Sequence, residues 1–164
     1  MKKKICFAIA SLFGVGFSPT ASGTCGSFIT LFAAVPLCYF LGQGGVLWAV
    51  LVSLFAGVWA TKEVLKYTKH DPYFVVVDEF CGQMLTFWFV APLLVDQWNT
   101  FAFVIYFVGF CLFRLFDISK PWIVGWADKK LLNAWGVMLD DVFAGLFAAI
   151  SLYGLLLCWN GDFF

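Results

Sequence analysis

The chain of 164 residues is 63% hydrophobic, 21% aromatic and only 12% charged, with a mean hydropathy of +0.93. Soluble domains are about 45–50% apolar and about 25% charged, so this composition excludes a soluble globular domain, a disordered chain and a nucleic-acid-binding protein. Ten basic and ten acidic residues cancel, and the length predicts a single integral-membrane domain over residues 1–164.

The first apolar segment, Ile5 to Phe17, follows three lysines. A basic start before a short apolar run also fits a signal peptide. We prefer a retained segment that re-enters the membrane or lies on its surface and brings the following polar loop to the membrane face. A sixth span here would place the N-terminal lysines outside, against the usual charge bias.

Later apolar segments predict about five short membrane spans, near residues 27–42, 45–61, 80–95, 99–114 and 142–159. A spanning helix usually takes about 20 residues, so the boundaries of the shorter segments are soft. With five spans, every lysine and arginine lies on one side, which the positive-inside rule identifies as cytoplasmic. We therefore predict an all-α, polytopic membrane protein.

Polar residues gather on that face in four clusters. The first, Ser18–Ser27, reads SPTASGTCGS. Its glycines, hydroxyls and free backbone N–H groups before a helix can cradle a phosphate. A flexible turn with a serine N-cap would explain the same residues.

The second cluster contains the adjacent carboxylates of Asp78 and Glu79, where a helix is predicted to begin. N-capping explains acidic residues at this position. Adjacent carboxylates at a membrane face repel each other, however, which favours a bound cation. Both interpretations stay open from the sequence.

The third cluster places Arg114, Asp117 and Lys120 three residues apart, on one predicted helical face before Pro121. This row is either an interfacial salt-bridge ladder or a metal ligand between two cations that neutralise a phosphate.

In the fourth cluster, Asp140 and Asp141 open the last predicted apolar helix. Capping needs only one of them, so the second favours a divalent cation. We expect the following Ala144 and Gly145 to allow close helix packing.

These four clusters, with Asp71 nearby, bring carboxylates together with two strong cations. All-oxygen ligands favour Mg²⁺ over a transition metal. Mg²⁺ beside arginine and lysine indicates a phosphorylated substrate, and a site at headgroup level indicates a lipid. The sequence lacks the known motifs for a covalent phospho-enzyme, which leaves hydrolysis by water that the metal activates.

Four ordered motifs carry a resemblance to a known family. They read S-P-x-x-x-G-T-x-G-S, V-x-D-E-x-x-G, F-R-x-F-D-x-x-K-P-W and M-x-D-D-x-x-A-G, and they extend from Ser18 to Gly145. The set resembles the phosphatidylglycerophosphatase A family of bacterial inner-membrane enzymes. The resemblance implies Mg²⁺-dependent removal of the terminal phosphate of phosphatidylglycerophosphate at the cytoplasmic face, with a phospholipid substrate and no obligate protein partner.

Site residues follow from the matching positions. The implied catalytic and metal-binding residues are Asp78, Glu79, Asp117, Asp140 and Asp141. The implied phosphate-binding residues are Gly23, Thr24, Gly26, Ser27, Arg114 and Lys120. Two positions depart from the family pattern: Ser22 stands where proline is usual, and Ile123 follows Trp122 in place of proline.

Two other functions remain as alternatives. One is a small transporter or membrane assembly subunit without catalysis, which charge-free spans disfavour because transporters carry polar groups near mid-membrane. The other is a phosphatase that acts on a different lipid phosphate.

Overall fold

A computed structural model describes residues 1–68, 72–96 and 98–161, and these ranges are helical without any strand, as predicted. The helices are α1 (Lys2–Ala10), α2 (Ser22–Val64), α3 (Val77–Trp88), α4 (Thr100–Ser119), α5 (Ile123–Lys130) and α6 (Ala134–Gly161). Short 3₁₀ turns lie at Val15–Phe17 and Ala91–Leu93.

Three helices in the described ranges are long and apolar enough to cross a membrane: Ser22–Val64, Thr100–Ser119 and Ala134–Trp159. The membrane class is therefore supported, while the count of five spans stays a prediction. The segment predicted near 80–95 forms only the 12-residue α3 before a turn, about 18 Å against the ~30 Å of a bilayer core. Pro92 disfavours helical geometry at the residue before it, and the chain continues as a 3₁₀ turn there.

Helix α2 folds back on itself at Gly42, whose φ of +55° and ψ of −148° are non-helical. A Cβ on Gly26 would lie 2.9 Å from Val76 Cβ, and one on Gly57 would lie 3.3 Å from Val77 Cγ1. In a straight helix, residues 26 and 57 would be about 46 Å apart. Because they instead lie beside the adjacent residues Val76 and Val77, the two halves of α2 run back along each other. Glycine tolerates the positive φ that this reversal needs, and the turn falls where the sequence predicts a break.

The N-terminal segment is broken rather than one helix. Helix α1 has nine residues, about 14 Å, which is too short to cross a bilayer. Its Cys6 and Ala10 are fully buried, and Val76 N donates to Ala10 O at 2.9 Å. Gly14, with φ +105°, turns the chain after α1. This segment therefore packs against the residues that lead into α3.

Helices α3 and α6 cross at backbone contact. A Cβ on Gly145 would lie 2.3 Å from Gly82 O, and one on Gly82 would lie 2.4 Å from Asp141 O. Ala144 is fully buried beside this crossing. The close packing predicted for Ala144 and Gly145 is confirmed, and small residues commonly allow such packing in membranes.

The last helix begins earlier than predicted. Asn133 Oδ1 accepts from Trp135 N at 2.9 Å and from Gly136 N at 3.2 Å, so Asn133 is the N-cap. Asp140 and Asp141 therefore lie in the second turn of α6, and the prediction that they open the helix is wrong. This position removes capping as an explanation for either carboxylate.

Candidate active site

A polar cavity of about 370 Å³ lies where α2 and α3 begin, α4 ends and α6 completes its second turn. It contains every predicted site residue except Gly26 and Ser27. Asp71 lies outside the described residues. The cavity is lined by Ala21, Ser22, Gly23, Thr24, Pro72, Tyr73, Val75, Asp78, Glu79, Arg114, Asp117, Ile118, Lys120, Asp140 and Asp141.

Three carboxylates form a cluster at the base of this cavity. Asp78, Glu79 and Asp141 each offer an oxygen, and these atoms lie within 4.8 Å of one another. Asp78 and Asp141 are only 6% and 4% exposed. Both therefore lie close to the Glu79 carboxylate in a buried position, where like charges repel. Such a cluster can hold a metal ion, which would offset the repulsion.

Helix capping does not account for these carboxylates. The N-cap of α3 is Val76, and no side chain caps it. Asp78 Oδ1 accepts from the backbone N of Glu79 at 3.0 Å. Glu79 Oε2 is buried and has no hydrogen-bond partner in the part of the chain that the structure describes. Since a buried carboxylate oxygen without a partner is costly, this atom fits a ligand to a cation.

The first turn of α2 lies directly against the cluster. A Cβ on Gly23 would lie 2.2 Å from Glu79 Oε1 and 3.3 Å from Arg114 Nη1. The predicted serine cap is not formed, because Ala21 is the N-cap and Ser22 Oγ donates to Tyr73 O at 2.5 Å. The first N–H groups of a helix lack intrahelical partners and attract anions. This end of α2 therefore places backbone donors beside the Glu79 carboxylate and Arg114.

Arg114 is held by two neighbours. Its guanidinium pairs with Asp117, one turn later on α4, and Nη1 donates to Ser27 Oγ at 3.4 Å. Ser27 Oγ in turn donates to Gly23 O at 2.9 Å. Ser27 thus lies behind the arginine rather than in the cavity wall. Gly26, also predicted to bind phosphate, instead packs against the segment before α3.

Lys120 reaches the cavity by a different route from the one predicted. Helix α4 ends at Ser119, and Lys120 adopts a left-handed φ of +44°, so the single helical face through Lys120 is wrong. Its ammonium pairs with Asp140 at 3.0 Å and with Asp128 of α5. Burial alone would lower the pKa of Lys120, but these two carboxylates raise it.

Asp128 was absent from the predicted site. It belongs to α5, which begins after Pro121 and the non-helical Trp122. Because that break destroys helical periodicity, spacing along the sequence carries no signal that Asp128 meets Lys120. Only the tertiary fold brings these two residues together.

The fold and the cavity together define a helical membrane protein whose carboxylate cluster, arginine and lysine suit metal-dependent chemistry on a phosphate. The chain matches the phosphatidylglycerophosphatase A family over residues 8–156. It belongs to that family, which confirms the resemblance and the phosphomonoester hydrolase class predicted from the four motifs.

Curated relatives align with this chain over most of their lengths. A protein of Bacteroides thetaiotaomicron named a putative phosphatidylinositol-3-phosphatase is 39% identical, covering 88% of this chain and 89% of the relative. The phosphatidylglycerophosphatase A of Escherichia coli is 34% identical over 86% of this chain and 77% of its own. That of Haemophilus influenzae is 33% identical over 87% and 83%. No solved structure matches the chain.

Proposed function

We propose that this protein hydrolyses the terminal phosphomonoester of phosphatidylglycerophosphate, giving phosphatidylglycerol and inorganic phosphate. The observation that carries the proposal is one polar cavity lined by the Asp78, Glu79 and Asp141 cluster, by Arg114 and by the first turn of α2. Family membership supports the reaction, as do the names of the E. coli and H. influenzae relatives. Family membership also argues against a transporter or a non-catalytic subunit.

Asp78, Glu79 and Asp141 are the proposed ligands of one or two Mg²⁺ ions. Their all-oxygen donor set suits Mg²⁺, and the unpartnered Glu79 Oε2 supports a bound cation. A bound Mg²⁺ would neutralise phosphate charge and make water a better nucleophile at neutral pH. Asp117 and Asp140 are also predicted ligands, but Asp117 pairs with Arg114 and Asp140 pairs with Lys120. These ion pairs support a further role for the two aspartates, which is to orient the basic side chains.

The basic side chains and the start of α2 are the proposed phosphate-binding groups. Arg114 presents a planar fork of donors that matches phosphate oxygens, and Lys120 adds a second positive charge. The N–H groups at the start of α2, around Gly23 and Thr24, add neutral donors. Ser27 holds Arg114 in place. These groups neutralise the charge on the phosphate oxygens, a major need in phosphoryl transfer.

We propose five spans, with the active site on the cytoplasmic side of the bacterial inner membrane. The reversal of α2 at Gly42 supports counting two spans within this helix. Helices α4 and α6 supply two more, and α3 with its following turn would be a shorter fifth. The basic residues then share one side, as the positive-inside rule expects. The α1 segment would dip into that same face.

A second substrate has one specific observation in its favour. The B. thetaiotaomicron relative, at 39% identity, is named a putative phosphatidylinositol-3-phosphatase. Both lipids present a phosphomonoester at the headgroup, so the same cavity chemistry would serve either. The choice depends on how the rest of the headgroup fits around the cavity.

The test is phosphate release by the protein purified in detergent. Phosphatidylglycerophosphate and phosphatidylinositol 3-phosphate are supplied separately, each with Mg²⁺ and with EDTA. We expect Mg²⁺-dependent release that is faster from phosphatidylglycerophosphate. Faster release from the inositol lipid would transfer the assignment to the second substrate, and no release from either by folded protein would refute both.

A further inference from the structure

A second, apolar cavity of about 680 Å³ forms a groove between the first half of α2 and α4. We call it the α2–α4 groove; it is lined by Phe28, Leu31, Phe32, Val35, Pro36, Tyr39, Phe40, Trp98, Phe103, Tyr106 and Phe107. Several of these aromatic side chains are exposed, and the exposed fractions of Phe32, Phe40 and Phe107 are 69%, 74% and 66%. The hydrolysis proposed above does not involve any residue of this groove.

The α2–α4 groove lies on the same helix faces as the polar cavity. On α2, Phe28 lines the groove, and Thr24, one turn earlier, lines the cavity. On α4, Phe107 lines the groove, and Arg114 lines the cavity two turns later. Residues at these spacings share one side of a helix. A ligand that fills the groove therefore ends beside the phosphate-binding groups.

A ring contact marks the junction of the two spaces. Phe28 packs edge-on against Phe110 with ring centroids 6.3 Å apart. Phe110 lies one turn before Arg114 on α4, and Ser27, the neighbour of Phe28, receives the Arg114 hydrogen bond. The apolar groove and the phosphate site are thus joined through adjacent residues of both helices.

The length of the groove matches a lipid chain. Phe28 to Phe40 rise about 18 Å along α2, which is somewhat more than half of the ~30 Å hydrocarbon core. At the far end, Tyr39 packs edge-on against Trp98 at 6.3 Å. An acyl chain that starts at headgroup level would therefore have apolar side chains of α2 and α4 beside it over about 18 Å.

We propose that the α2–α4 groove binds one acyl chain of the lipid whose phosphate occupies the polar cavity. This inference rests on the proposed lipid phosphatase function. A chain held along α2 and α4 would fix the depth and direction of the headgroup, so that binding energy far from the phosphate orients it at the reacting end. A lipid held at both ends would have its phosphate presented between Arg114 and the carboxylates.

The first test fills the groove and compares two substrates. Val35→Trp places an indole in the groove, and Val104→Trp makes the same change on α4 at a lipid-facing residue that is 51% exposed and outside the groove. The substrates are dioleoyl phosphatidylglycerophosphate and its deacylated, water-soluble headgroup. We expect Val35→Trp to lower kcat/KM for the lipid about tenfold relative to the headgroup, and Val104→Trp to change neither.

Each other outcome has a definite meaning. Equal losses on both substrates in Val35→Trp, or no loss on the lipid, would overturn the acyl-chain site while leaving the phosphatase assignment intact. Wild-type protein that hydrolyses neither substrate would refute the proposed function itself. The two failures are therefore distinguishable.

A second measurement detects the chain directly. Phosphatidylglycerophosphate with a photoreactive diazirine on one acyl chain is irradiated with wild-type protein in EDTA, and labelled peptides are mapped by mass spectrometry. We expect labels within residues 28–40 and 103–107, with competition by unlabelled phosphatidylglycerophosphate and little by phosphatidylcholine. Equal competition by phosphatidylcholine would mean that any bilayer lipid fills the groove, and labelling elsewhere would place the chain elsewhere; either result overturns the proposal.

Discussion

Gly23 lies against the carboxylate of Glu79 so closely that a Cβ at residue 23 would be 2.2 Å from Oε1. The contact joins the first turn of α2, which supplies backbone donors, to the first turn of α3, which supplies acidic ligands. The same Cβ would lie 3.3 Å from Arg114 Nη1. A side chain at residue 23 would therefore collide with Glu79 and crowd Arg114, so the close packing of these two residues against α2 requires glycine here.

Gly23→Ala is expected to lower kcat/KM about 10- to 100-fold, because the added methyl group displaces Glu79 or Arg114 from its place. Phosphate release is the measurement, with the apparent Mg²⁺ affinity obtained from the same titration. Gly44→Ala is the matched control, since a Cβ there meets no described atom within 4 Å. Equal effects of the two alanines would show that Gly23 has no special place in the site.

Asp141→Asn is expected to reduce turnover at least about 100-fold while the protein still folds, because a neutral amide is a poor ligand for Mg²⁺. Removing one of three clustered carboxylates also relieves repulsion in metal-free protein. Melting of Asp141→Asn in EDTA is therefore expected at or above the wild-type temperature. Asp96→Asn, at an exposed aspartate outside the cavity, serves as control and is expected to keep full activity. Full turnover by Asp141→Asn would remove Asp141 from the site.

Mg²⁺ binding can be detected without turnover. If the cluster binds Mg²⁺ only in the folded state, an ion concentration 100 times its Kd stabilises the protein by about 2.7 kcal/mol. We expect a higher Tm in Mg²⁺ than in EDTA for wild type and little difference for Asp141→Asn. The measurement is thermal unfolding in detergent followed by circular dichroism. A wild-type Tm that is the same in Mg²⁺ and in EDTA would contradict the ligand assignment.

Gly145→Ala is expected to destabilise the protein by about 1–3 kcal/mol, because the new methyl group meets the backbone of α3 and the helices must separate. Activity is expected to fall as well, since Asp141 moves away from Asp78. The control is Gly154→Ala in the same helix, where a Cβ has no described atom within 4 Å and alanine favours the helix. Comparable Tm and activity for the two variants would argue against a tight crossing.

The sequence predicted the helical class and the residues of the cavity better than the shapes of the helices. Paired acids at Asp78 and Glu79, and at Asp140 and Asp141, stand out because charge is rare in so apolar a chain. The early start of α6 depends on the Asn133 N-cap, which lies before the apolar run that defines the predicted span. The contact between Lys120 and Asp128 depends on the direction of the chain after Pro121, which no local pattern encodes.

The roles of Gly26 and Ser27 illustrate the same limit. Both belong to a glycine- and serine-rich loop, and the family resemblance implies that both bind phosphate. The structure places Gly26 against Val76 and Ser27 behind Arg114, because the helix begins at Ser22 and turns successive residues to different sides. Composition indicated the right segment, but the start of the helix decides which of its residues face the cavity.

The crossing of Gly82 and Gly145 has a consequence for how the enzyme tolerates its surroundings. Each glycine follows a clustered aspartate by one turn, Asp78 in α3 and Asp141 in α6, so the distance between these two carboxylates depends on main-chain atoms in contact. Helix tilt responds to bilayer thickness and composition, whereas closely packed atoms yield little. We therefore expect the distance between Asp78 and Asp141 to change less with membrane thickness than the tilt of the other lipid-facing helices does.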